Sequence, residues 1–259
     1  MADNLVLVIG GTRSTGLHAA HALQRGGSRV RVLARSPAAA LERVGPHAEI
    51  VQGDVTRKET LVPAFAGASH LIFTAGVRSG RFAREPVVRA TEYEGVLNTI
   101  EAARAHDFRG RFVYMTSIGV TRRSLFVIGL NIWKGNTILW RRRAEDAIRS
   151  SGFDYTIIRA AFLLNRPPNQ RAICVRQVES ALTVRECIAR ADLAEVLVAA
   201  VYHPDASRAT FEVKWGRGPR QQSSWPDLLN GLRPDQPTPS SSAPLDGPRT
   251  DAARPTPES

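Results

Sequence analysis

The chain has 259 residues, enough for one large domain or two small ones with a substantial core, and its 43% apolar fraction is that of an ordinary globular protein. Its net charge of +11 is carried almost wholly by arginine, since Lys58, Lys134 and Lys214 are the only lysines. The basic residues are spread out apart from Arg141-Arg142-Arg143, and no aromatic-interleaved stripe accompanies them. That pattern disfavours nucleic acid and leaves an acidic protein partner as a use for the charge. Cys174 and Cys187 lack metal or redox spacing and read as buried reduced thiols. The N-terminus has no basic stretch followed by an apolar one, and the longest apolar stretch, 125–133, falls short of the roughly 20 residues a bilayer needs. The chain therefore reads as soluble and cytoplasmic, without membrane insertion.

Taken in order, an apolar run at 6–9 predicts a first strand, and Gly10-Gly11-Thr12-Arg13-Ser14-Thr15-Gly16 follows it directly. Helical spacing of Leu17, Ala20 and Leu23 then runs to the Gly26-Gly27 stop. Strands are predicted at 29–33, 48–52, 69–73, 111–115 and 155–159, with helices at 56–65, 84–106 and 137–149. Strands alternating with helices over some 160 residues predict an α/β, doubly wound parallel sheet of the Rossmann type. A strand near 172–175, a helix at 191–202 and a strand at 210–213 complete a small substrate-side lobe, about 160–215, within one domain spanning 1–232. From Arg233 onward Pro, Ser, Asp and Thr dominate, which predicts a disordered tail over 233–259.

A doubly wound sheet binds its ligand at the carboxyl ends of the strands, so the residues after each strand are the candidates. Gly10 permits a tight turn, Gly11 belongs to the same turn, and Gly16 lets the helix pack closely on the sheet. Thr12 and Ser14 can donate to phosphate, and Thr15 completes the cradle at the helix N-terminus. After the second strand stands Ala34-Arg35-Ser36, without the carboxylate that binds the ribose 2′-hydroxyl of NAD. Arg13 and Arg35 can instead pair with a 2′-phosphate, so NADP(H) is preferred over NAD(H). Asp54 and Val55, after the third strand, fall where adenine is recognised. Thr74, Ala75 and Gly76, after the fourth, offer small side chains along the cofactor. His18 and His21 share a helix face but have no partner spaced to complete a metal site.

These stretches resemble the atypical short-chain dehydrogenase/reductases, particularly their NmrA-like NAD(P)-binding branch. The resemblance covers about residues 4–214 and includes Gly53-Asp54-Val55, residues 93–98 (Tyr-Glu-Gly-Val-Leu-Asn), 114–119 (Tyr-Met-Thr-Ser-Ile-Gly), 151–159 and 188–194. The group's middle turn glycine is Arg13 here, which suits a 2′-phosphate contact. The resemblance also implies a Tyr-x-x-x-Lys dyad on the helix after the fifth strand and a serine at that strand's end. Ser117 matches the serine, but registering the helix on Glu145 puts Arg141 at the lysine position and Thr137 at the tyrosine position. Ser117 and Arg141 are thus the candidate catalytic residues, and threonine cannot serve as a general acid near neutral pH. Tyr155 and Arg159 have the dyad's spacing but fall in a predicted strand, and Tyr114 reads as core. Lys134 could reach a site from the preceding loop, though a surface lysine is the simpler reading. The expected function is hydride transfer from NADPH to a small conjugated or aromatic acceptor of the quinone, flavin or tetrapyrrole class, with the apolar segment 125–133 lining its pocket. The alternative is a non-catalytic NADP(H)-binding sensor or assembly protein.

Overall fold

Five consecutive apolar residues, Leu5–Ile9, form the central strand β1, and all five are buried, as in a strand covered on both faces. Successive side chains point to opposite faces. Val6 and Val8 accordingly join one core, with Ala19, Leu23 and Leu197, while Leu7 and Ile9 join the other, with Val96, Ile100 and Ile148. In this computed structural model the described residues are 4–77, 84–121, 129, 131, 134–183, 185–219 and 224–236.

Helix α1 (Ser14–Arg25) leads to β2 (Arg29–Ala34), α2 (Pro37–Val44) and β3 (Ala48–Gln52). Strand β4 (His70–Phe73), helices α3 (Glu85–Arg89) and α4 (Gly95–Ala105), and β5 (Arg111–Ser117) follow. Helix α5 (Thr137–Arg149), β6 (Asp154–Ala160), β7 (Phe162–Leu164), β8 (Ile173–Arg176), β9 (Cys187–Ala189), α6 (Arg190–Tyr202) and β10 (Ala209–Trp215) complete the order. Eight strands form one sheet in the order β3-β2-β1-β4-β5-β6-β10-β8, parallel except for the antiparallel β10–β8 pair, and β7 pairs with β9 in a small separate ribbon. The first six positions have the strand order of a doubly wound dinucleotide fold, which reverses direction at β1. Among the described residues no helix is long and apolar enough to cross a membrane.

The elements depart from the sequence reading in four places. The segment expected to be a helix at 56–65 forms two 3₁₀ turns, Lys58–Thr60 and Val62–Phe65, because Pro63 has no N–H to continue an α-helix. Helix α2, with Pro37 at its start, and the short strands β7 and β9 were not legible from spacing. The long helix expected at 84–106 is interrupted by a π-helical turn, Ala90–Glu94, between α3 and α4. Such a turn shifts the helix register, and Glu92, which lies within it, is buried. Of the expected tail, residues 237–259 lie outside the described residues, whereas Asp235 bonds to Thr210 and Tyr155. Cys174 and Cys187 are part-buried rather than fully buried.

Candidate functional site

The glycine turn is fixed by close packing. Gly10 has φ +89°, and a Cβ there would lie 2.7 Å from the Ala75 backbone nitrogen. A Cβ on Gly16 would lie 2.3 Å from the Gly10 carbonyl oxygen and 2.4 Å from Thr74 Oγ1. Only glycine lets α1 approach the ends of β1 and β4 this closely. Thr74 donates its hydroxyl to the Ile9 carbonyl at 3.2 Å, which pins β4 to β1 at the same point. No side chain caps the start of α1, and its first turn contains no acidic residue. The first-turn N–H groups and the positive end of the helix dipole are thus offered to an anion. Gly11 and Thr15 are buried, Thr12 is part-buried, and Ser14 is exposed with a left-handed φ of +56°. Thr15 Oγ1 is itself buried without a hydrogen-bond partner. A backbone cradle closed to any Cβ, joined to an uncapped helix N-terminus, fits a dinucleotide pyrophosphate.

The neighbouring candidates are placed as follows. Arg13 reaches across from the turn and donates from Nη2 to the Gly76 carbonyl at 3.3 Å. Arg35 is exposed just past the end of β2. Asp54 Oδ1 accepts from the backbone N–H and the hydroxyl of Thr56, both at 2.9 Å, so this oxygen caps its own turn. Val55 is buried against Gly95, and its carbonyl accepts from Asn98 Nδ2 at 2.8 Å. Gly95 and Asn98 thus pack the start of α4 against the 53–55 stretch. Ala75 and Gly76 are part-buried, and Gly76 packs on a buried ion pair, since a Cβ there would meet Glu92 Oε1 at 3.2 Å and Arg141 Nη2 at 3.3 Å.

That ion pair is the centre of the site. Arg141 donates from Nε to Glu92 Oε2 at 3.0 Å and from Nη2 to Oε1 at 3.2 Å. Thr137, one turn earlier on α5, donates its hydroxyl to Oε2, and the Val77 N–H donates to Oε1 at 3.2 Å. Thr137 and Arg141 therefore do share one helix face, as the registered dyad positions require. Burial alone would raise the Glu92 pKa, but the charge of Arg141 and the bonds from Arg141, Thr137 and Val77 outweigh it and hold the carboxyl below its ordinary value. Burial likewise works against the Arg141 charge, and the Glu92 carboxylate more than restores it. Sequence reasoning missed Glu92, although its spacing of four from both Val88 and Val96 places it on the apolar face of the expected helix.

A cavity of about 270 Å³ opens beside this pair at the carboxyl ends of β5 and β6. Ser117, Lys134, Thr137 and Arg141 line one part, and Met115, Ala160, Phe162 and Leu163 supply apolar wall. The Ser117 hydroxyl donates to the Ile118 carbonyl at 3.1 Å. Arg190, the first residue of α6, also lines the cavity and donates from Nε to Ser14 Oγ at 2.7 Å. It therefore links the glycine turn to the cavity. The only sequence signal for it was its place in the matching stretch 188–194. Lys134 is not the surface residue of the simpler reading, since it is half-buried in the cavity wall. The expected pocket segment 125–133 lies outside the described residues except Gly129 and Asn131.

The other dyad candidates are engaged elsewhere. Tyr114 is fully enclosed in the core, and burial pushes its hydroxyl pKa far up. Tyr155 donates to Asp235 at 3.0 Å, and Arg159 donates from Nη2 to the buried Glu145 at 2.7 Å. Arg159 and the Asp235 that Tyr155 bonds line a larger polar hollow of about 390 Å³ along α5, where Arg149 and Arg159 pair with Glu145. Neither the glycine turn nor the end of β5 lines that hollow.

The sheet order and the glycine cradle define a Rossmann-type fold with a cradle suited to a dinucleotide. The profile of the NAD(P)H-binding family matches residues 10–204, and the chain belongs to that family. It is similar to sanguinarine reductase of Eschscholzia californica, with 29% identity over 253 residues covering 82% of this chain and 91% of the relative. Among solved structures it resembles a putative NAD-dependent epimerase/dehydratase from Bacillus halodurans, with a TM-score of 0.73, 23% identity and coverage of 87% of this chain and 98% of the other. It also resembles ChuY, an anaerobillin reductase from Escherichia coli O157:H7, with a TM-score of 0.65, 18% identity and coverage of 81% and 96%.

Proposed function

We propose that the protein is an NADP(H)-dependent reductase that passes a hydride to a small conjugated or aromatic acceptor of the quinone, flavin or tetrapyrrole class. The observation that carries this reading is the partly apolar cavity at the ends of β5 and β6, joined to the glycine cradle through Arg190. Two of the similar proteins are reductases by name, which supports the reaction class. The bound nicotinamide cofactor supplies the hydride. The uncapped α1 N-terminus, Thr12 and Ser14 hold its pyrophosphate, while Arg13 and Arg35 take the 2′-phosphate. Ser117 and the Glu92-held Arg141 orient the groups at the cavity mouth, and Met115, Phe162 and Leu163 shield the acceptor ring from water.

Steady NADPH oxidation with a panel of quinones, flavins and biliverdin-like acceptors tests this, and turnover with at least one class is expected. A second reading, a non-catalytic NADP(H)-binding sensor or assembly protein, is favoured by one observation. The Thr137 hydroxyl stands at the tyrosine position and is already committed to Glu92. Tight NADPH binding with no turnover across the panel selects that reading instead.

A further inference from the structure

Reduction of a quinone or flavin by two electrons consumes one hydride and one proton, and Thr137 in the tyrosine's place releases no proton near neutral pH. The polar side chains of the cavity wall can be taken in turn. Arg141 and Arg190 keep their protons at any ordinary pH. Glu92 is held ionised, with both oxygens accepting hydrogen bonds. The hydroxyls of Thr116, Ser117 and Thr137 ionise far above the working range. Among the described residues lining the cavity, Lys134 alone carries a proton it can give up.

We propose that Lys134 is the proton donor of the reduction, an inference that rests on the reductase reading above. As the acceptor takes the hydride from the dihydronicotinamide carbon, negative charge gathers on its oxygen or nitrogen. The Lys134 ammonium gives that atom one N–H proton, the cofactor leaves oxidised, and solvent returns a proton to the neutral amine. The backbone fixes the lysine at this spot. Gly135 and Asn136 have consecutive left-handed φ values of +59° and +58°, and the turn is tied by Asn136 N–H to the Asn131 carbonyl at 2.8 Å and by Ile138 N–H to Asn131 Oδ1 at 3.0 Å. Facing Lys134 around the cavity are Arg141 from α5, Glu92 from the π-helical turn, Arg190 from α6 and Ser117 from β5. Burial and the Arg141 charge lower its pKa, against a smaller opposing effect of Glu92. A cationic acid brought nearer neutrality is a better donor. No acidic side chain pairs with it among the described residues.

With only three lysines in the chain, acetic anhydride labelling across a pH series, read by mass spectrometry, resolves each amine in the intact protein. Lys134 is expected to become reactive at lower pH than Lys58, whose pKa its hydrogen bond to Glu101 raises. In steady-state assays with a quinone, Lys134→Met and Lys134→Arg are both expected to lose about 100-fold in kcat, with the NADPH dissociation constant unchanged. The wild-type kcat falls as pH rises through the Lys134 pKa, and both variants lose that limb. Full activity of Lys134→Arg overturns the proposal by showing that charge alone matters, and so does unchanged turnover of Lys134→Met or a Lys134 labelling profile matching that of Lys58. These results leave the reductase reading standing. A wild-type protein that binds NADPH and turns over no acceptor removes both.

Discussion

The Nε of Arg190 lies 2.7 Å from Ser14 Oγ, joining the first residue of α6 to the glycine turn 176 positions earlier. The same guanidinium donates from Nη1 to the Leu163 carbonyl and to Asn165 Oδ1, both at 2.9 Å. One cation thus ties the left-handed Ser14, the ribbon strand β7 and the cavity wall together. Charge-assisted hydrogen bonds contribute about 1.5–3 kcal/mol each. Arg190→Met is expected to weaken NADPH binding at least tenfold, as measured by fluorescence titration, with the loss shrinking at high salt. Unchanged affinity would separate Arg190 from the cofactor.

Glu92 and Arg141 form a pair whose carboxylate is almost wholly excluded from water, at 4% side-chain exposure. Removing one partner of such a pair costs about 3 kcal/mol, because the other charge is left uncompensated. Glu92→Gln should show this loss in urea unfolding at pH 7, and Glu92→Gln with Arg141→Met should regain most of it. The pH dependence follows from the lowered Glu92 pKa. Its stabilisation is complete above the unfolded value, about 4.3, and is lost as pH falls through the folded value. Wild-type stability should therefore drop in acid more steeply than that of Glu92→Gln.

At Gly16 the packing leaves no room for a methyl group. Gly16→Ala is expected to cost about 1–3 kcal/mol and to weaken NADPH binding by displacing α1 from the turn. Gly216→Ala is the control, since its Cβ would meet Ala172 at an ordinary 3.5 Å. That change should alter stability by less than about 0.5 kcal/mol.

Cofactor choice is tested at Arg35, which is exposed beyond β2. Arg35→Asp is expected to weaken NADPH far more than NADH, because a carboxylate repels a 2′-phosphate and accepts from a 2′-hydroxyl. Equal losses for the two cofactors would remove the 2′-phosphate argument.

Much of the sheet was legible because its inner strands are short apolar runs ended by glycine or small residues, as at Leu5–Ile9 and His70–Phe73. The glycine turn was legible for the same reason: glycine is required wherever a Cβ would strike backbone. Thr137 and Arg141 could be placed on one helix face by their spacing of four. Their partner Glu92 was passed over although its spacing of four from Val88 and Val96 sets it on the apolar face of the expected helix, whereas the inserted π-helical turn leaves no periodic mark. Lys134 was legible as a residue that could reach the site, but its burial in the cavity wall was not. Its position depends on two left-handed residues, one of them Asn136, and a short polar loop does not announce such a conformation. Arg190 acts across 176 residues, a pairing that only the folded sheet creates.

Asp235 accepts from Tyr155 at 3.0 Å and from the Thr210 N–H at 3.0 Å, and lies 3.4 Å from Arg149 Nε. By composition it belongs to the Pro- and Ser-rich end, yet it clasps β6, β10 and α5 from outside. A protein trimmed after Leu232 would lose the acceptor for a tyrosine and a threonine and one acid beside Arg149, whereas trimming after Gln236 would keep every one of those bonds. Among the described residues, folded contacts thus run on to Asp235, past the point where the composition turns polar.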